Sequence, residues 1–167
     1  MKVFLGIVTA VLLSLVGPVA ASAQGAQIAF GGLKHDSSLP IEISADQLQV
    51  DQGDGTATFQ GNVMIGQGEM RLTAAKVRVE YTTGEDVTGE ISRLHASGGV
   101  TLVNAAEAAE AREAVYTIAT GTVVMTGDVI LTQGANALSA NRLTVDLKAG
   151  TGTMDGRVKT ILQTGDQ

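Results

Sequence analysis

Cysteine is absent from the 167 residues, which excludes any part for disulfides or thiolate-bound metals in this fold. Aromatic side chains amount to only 3%, so a large apolar interior has to be aliphatic, built from Val, Ile, Leu and Ala. There are two histidines, His35 and His95, and each stands alone, as surface histidines do, rather than in a ligand set. Positive charge is also scarce. Acidic residues number 17 against 11 basic ones, for a formal net charge of −6. A chain this acidic is poorly suited to nucleic acid or to gripping phosphates over a broad surface.

The first residues carry an export pattern. Lys2 precedes the apolar run "VFLGIVTAVLLSLV", Gly17 and Pro18 interrupt it, and Ala21-Ser22-Ala23 has the small-x-small form of a cleavage site. This reads as a secretory signal peptide over 1–23, because the run is shorter than the ~20 residues that span a bilayer. Cleavage after Ala23 leaves 144 residues with net charge −7, enough for one domain with a real core. The expected organisation is a flexible arm over 24–38, one domain over 39–163 and a short tail over 164–167.

A repeat runs through that domain. Gly61 in "FQGNV", Gly98 in "ASGGV", Gly127 in "MTGDV" and Gly156 in "MDGRV" each precede a valine by two residues. Ahead of them come "SADQLQV" from Ser44, "TAAKVRV" from Thr73, "EAREAVY" from Glu110 and "SANRLTV" from Ser139. The period is 29 residues, with eight extra in or near "TTGEDVTGEIS" (82–92). Four units at this spacing imply stacked supersecondary elements that bury a core only together.

Within each unit apolar residues alternate with Gln, Thr, Arg, Asp and Lys, as in Ala57, Phe59, Val63 and Ile65 or Val123, Met125, Val129 and Leu131. That is the period of strands with one wet face. Glycine-rich turns such as "QGDG" and "KAGTG" separate them. The expected class is all-β. The recurring glycine is read as a strand corner, with an ordinary turn as the alternative. "AAEAAEAREA" (105–114) has helical composition, but the repeat register places Glu110–Tyr116 on a strand.

Motifs of chemistry are missing. "DQGDG" (51–55) lacks the donors of a calcium loop, "GQGEMRL" (66–72) lacks the lysine of a phosphate loop, and no nucleophile elbow or converging carboxylate pair occurs. No catalytic residue, metal or cofactor is expected. Shape and surface remain. The terminal strand-like segments "PIEIS" (40–44) and "RVKTILQ" (157–163) have no closing partner in sequence and offer free edges, which can meet head to tail.

The stretch from "LPIEISADQLQV" through "FQGNV", "HASGGVTL" and "TGDVILTQGANALSANRLTVDL" to "GRVKTIL" resembles the OstA-like family of lipopolysaccharide-export proteins of Gram-negative bacteria. The resemblance implies an open-ended, twisted antiparallel β-jellyroll whose apolar groove shields the acyl chains of lipid A. It also implies a periplasmic location and no catalysis. Implied partners are lipopolysaccharide, an inner-membrane jellyroll of the LptC type, the N-terminal domain of an LptD-like outer-membrane translocon, and further copies in a head-to-tail oligomer.

By the same resemblance Ile41, Ile43, Leu102 and Tyr116 line the groove; alternation adds Phe59, Val63, Met125 and Val129. Pro40, Ile41, Ile43, Val158, Thr160 and Leu162 form the expected assembly edges. Two other readings stay open: a membrane-anchored jellyroll of the same pathway, and a structural β-solenoid indifferent to lipid. For the groove residues the competing assignment is an ordinary closed core.

Overall fold

The computed structural model describes residues 26–29, 36, 38–82 and 89–161. The expected signal segment, much of the expected insertion, Leu162 and the tail lie outside these. The described residues form eleven strands: β1 Ala26–Ala29, β2 Glu42–Ser44, β3 Gln47–Asp51, β4 Thr56–Gln67, β5 Met70–Tyr81, β6 Ile91–Asn104, β7 Glu107–Thr117, β8 Thr122–Gln133, β9 Asn136–Asp146, β10 Thr151–Asp155 and β11 Lys159–Ile161. The all-β expectation holds, "AEAAEAREA" included: its residues from Glu107 onward are strand β7.

All strands join one open antiparallel sheet in the order β1-β10-β9-β8-β7-β6-β5-β4-β2. From β4 to β10 each strand pairs with its sequence neighbour. The margins are built in two pieces. β2 and β3 both pair with β4, and β10 and β11 both pair with β9. Within the stretch expected as an arm, Ala26–Ala29 pairs with Thr151–Met154 of β10.

Every pair from β4–β5 to β8–β9 shows a register shift, and the shifts lie side by side across the sheet: Gln60/Val63, Thr73/Lys76, Ser97/Val100, Glu110/Glu113 and Thr126/Val129. This is the line of corners expected from the repeated glycine. Gly61, Gly98, Gly127 and Gly156 have φ of 77°, 83°, 86° and 78°, and the next residues, Asn62, Gly99, Asp128 and Arg157, are also at positive φ.

The bend explains how one face stays apolar. β8 takes three steps from Thr126 to Val129 while β9 takes two from Arg142 to Ala140. In β9 the buried positions accordingly change parity, from Leu138 and Ala140 to Leu143 and Val145, whereas β8 buries Val123, Met125, Val129 and Leu131 without a break. The third residue of each recurring landmark packs over the glycine: Asp46 over Gly61, Ala75 over Gly98, Arg112 over Gly127 and Asn141 over Gly156. Two of these corners are tied by side chains. Asn62 Nδ2 donates to Asp46 Oδ2 at 2.8 Å, and Arg112 pairs with Asp128.

Candidate functional site: the apolar interior and the sheet margins

The buried residues form one aliphatic cluster on a single side of the sheet. Of the eight groove candidates, Val63, Leu102, Tyr116, Met125 and Val129 are buried within it; Ile41, Ile43 and Phe59 are partly buried and pack against it. All eight therefore share one continuous apolar interior. Among the described residues the buried polar side chains are Thr56, Gln67 and Asn104, and no Asp, Glu, Lys or Arg is buried as a whole, although one carboxylate oxygen of Glu107 is.

Tyr116 brings its hydroxyl into this interior, and a buried phenol needs a polar partner. It finds one far away in sequence: the hydroxyl donates to Gln67 Oε1 at 3.1 Å, and Gln67 Nε2 donates to the Leu39 carbonyl at 2.8 Å. The contact draws the end of β7 against the end of β4 and anchors the segment entering β2. Gln67 carried no signal in the sequence. Its place on the buried parity of β4, two residues after Ile65, was the available hint.

Burial pushes the Tyr116 phenol up from its ordinary value of 10.0, because the phenolate loses its hydration. The folded state thus holds its proton to higher pH than the unfolded chain. Stability from this group is present in full below about pH 10 and is lost as pH rises through the folded value. Urea midpoints of wild type should therefore fall more steeply above pH 10 than those of Tyr116→Phe. At neutral pH that variant should lose about 1 kcal/mol with its hydrogen bond. Parallel alkaline slopes would mean that the phenol ionises without cost.

The interior is uncovered at one margin. Leu48 and Val50 of β3 lie opposite Phe59 and Ala57, and directly opposed residues share a face. They are nevertheless 54% and 61% exposed. At the other margin Met154 of β10 is fully buried. The Leu48 and Val50 side chains carry the apolar face of the buried cluster out to the surface of the sheet. Alternation along "SADQLQV" puts Leu48 and Val50 on one face of their strand but gives no sign of their exposure.

The expected edge residues divide between the two margins. Pro40 is exposed beside the half-buried Ile41 and Ile43, and Val158 and Thr160 are exposed at the far margin. The β2–β3 margin carries exposed Glu42, Asp46 and Asp51; at the far margin stand exposed Arg157, ahead of β11, and Lys159, its first residue.

Residues 42–151 match the family described as LptA/(LptD N-terminal domain) LPS transport protein. The chain belongs to this family. An uncharacterized protein of Rhizobium meliloti is 31% identical over 148 residues, 84% of this chain and 80% of that one. The lipopolysaccharide export system protein LptA of Escherichia coli is 37% identical over 73 residues, 44% of this chain and 40% of its own length. This chain thus aligns with about two fifths of that LptA. The crystal structure of LptH, described as the LptA-homologous periplasmic component of the lipopolysaccharide transport device of Pseudomonas aeruginosa, superposes with a TM-score of 0.67. It covers 77% of this chain and 99% of LptH at 17% identity, which establishes the common fold. Membership gives the chain a role in lipopolysaccharide export, and the family is one of transport proteins rather than enzymes.

Proposed function

We propose that this protein is a periplasmic carrier that shields the acyl chains of lipid A in its apolar interior and bridges the two membranes by head-to-tail assembly. The observation that supports the reading most directly is the exposed pair Leu48 and Val50, which extends a buried aliphatic interior to an open margin. Acyl chains match such a lining, since burying each methylene contributes about 0.8 kcal/mol. A net charge of −6 fits a protein that leaves the lipid phosphates outside.

Bridging uses the sheet margins. Among the described residues β2, β3 and β11 have no strand on their outer sides, which leaves backbone donors and acceptors for another strand, and the acidic β2–β3 margin differs in sign from Arg157 and Lys159 at the other end. Unlike margins make a heterologous contact, which propagates instead of closing. The LptC-like inner-membrane jellyroll and the LptD-like domain would join the same assembly through margins of this kind.

Photo-crosslinking in cells tests the carrier role. A photoreactive residue at Val50, Phe59 or Met125 should capture lipopolysaccharide, whereas Gln49 and Thr58, on the opposite face, should not. Folded, exported variants with no adduct at any inward position would leave a closed core and the structural-module reading. Intact mass of the exported protein separates the carrier from an anchored partner, because loss of residues 1–23 removes the apolar run.

A further inference from the structure

The sheet alternates two kinds of strand. Corner strands carry a Gly-x-Val: β4, β6, β8, and β10 continued by β11. Landmark strands carry the preceding motif: β2 continued by β3, then β5, β7 and β9. Inside the sheet every strand of one kind lies between two of the other. At the C-terminal margin, β10–β11 is a corner strand with a landmark neighbour on only one side. At the N-terminal margin, β2–β3 is a landmark strand that lacks a preceding corner strand. The direction also fits, since β2, β3 and β9 all run antiparallel to the corner strand they flank.

The internal register fixes how a second copy would continue the sheet. In β4–β5, Phe59 lies opposite Val77, Thr58 opposite Arg78, Ala57 opposite Val79 and Thr56 opposite Glu80. Aligning Gly156 with Gly61, and Ser44 with Thr73, sets Met154, Thr153, Gly152 and Thr151 opposite Leu48, Gln49, Val50 and Asp51 of the next copy. The same alignment puts Arg157 beside that copy's Asp46.

Those four positions are already taken. β1 pairs Ala26 with Met154, Gln27 with Thr153, Ile28 with Gly152 and Ala29 with Thr151. Ala26-Gln27-Ile28 thus stands where Leu48-Gln49-Val50 of a second copy belongs, residue for residue and with the Gln followed by a β-branched aliphatic in both. Only the β11 half of the margin, Lys159–Ile161, is left unpaired on its outer side among the described residues.

We infer that β1 is a tethered stand-in for β3 of the next copy, a self-cap that must be displaced before the C-terminal margin takes up a second jellyroll along its whole length. The inference rests on the head-to-tail reading above. A tethered competitor acts at high effective concentration, and the apparent affinity for the next copy falls in proportion to the fraction of uncapped margins. Assembly then starts on β11 and proceeds by strand exchange on β10, and free monomers are kept from polymerising prematurely.

The absence of cysteine makes a clean test available in the full exported chain. Gln49→Cys with Thr153→Cys should give a ladder of covalent oligomers under a short thiol crosslinker, each bond joining 49 of one copy to 153 of the next. Ile28→Pro removes a ladder donor from β1 and should shift oligomerisation, followed by sedimentation, to about tenfold lower protein concentration. Linking β1 to β10 through Gln27→Cys and Thr153→Cys should hold the protein monomeric until it is reduced. A ladder with no shift in Ile28→Pro, or a weaker assembly, overturns the self-cap and leaves head-to-tail assembly standing. No ladder, even with Ile28→Pro added, overturns both.

Discussion

Gly98→Ala is expected to lower the unfolding free energy by roughly 2–5 kcal/mol, the sum of two separable penalties. The first is conformational: Gly98 sits at φ +83°, where a side chain is strained. The second is steric, since a Cβ there would stand 2.7 Å from Cβ of Ala75, and neither the methyl nor its strand has a flexible end to move. Gly99 has nearly the same φ, +84°, but nothing within 4 Å of an added Cβ. Gly99→Ala should therefore cost only the conformational part, about 1–3 kcal/mol. Adding Ala75→Gly to Gly98→Ala should restore the steric part, so a double-mutant cycle in urea would show a favourable coupling. Equal costs at 98 and 99, or no coupling, would mean that close packing of the landmark residue over the glycine plays no part in making the corner.

That corner is where the sequence was most legible. Period and spacing located the four glycines, the landmark residues that pack on them and the parity of the buried face, because bend and alternation are both written in adjacent residues. Composition alone would have made Glu107–Ala114 helical; its long-range pairing with β6 and β8 outweighs alanine's intrinsic preference. What stayed hidden depends on residues distant in the chain. The Tyr116–Gln67 hydrogen bond joins positions 49 apart, and no local pattern predicts it. Strand β1 lies in a segment read as an arm, since four residues outside the 29-residue period carry no pattern until β10 is present to pair with. Alternation also assigns Leu48 and Val50 the same inward face as Phe59, yet only the tertiary structure shows them as an uncovered lip.

Leu131→Ala should cost about 2–5 kcal/mol in the lipid-free protein, because Leu131 is fully buried on β8 and its truncation leaves a cavity among aliphatic neighbours. The adjacent Ile130, 45% exposed on the opposite face, should lose less than about 0.5 kcal/mol when cut to alanine. The contrast measures packing; lipid then separates a core from a carrier. A ligand that binds only the folded state raises stability by about 2.7 kcal/mol at a hundredfold excess over Kd. Lipopolysaccharide should therefore raise the urea midpoint of the wild type. In Leu131→Ala the rise should be larger, since acyl chains entering the interior gain the vacated volume and restore contacts that the truncation removed. An equal rise in both proteins would place the lipid outside the interior, since a site remote from Leu131 does not register its truncation, and no stabilisation of either would make these strands a closed core. A rise in both, with part of the truncation cost recovered, ties the strand alternation that builds the interior to its use in shielding acyl chains.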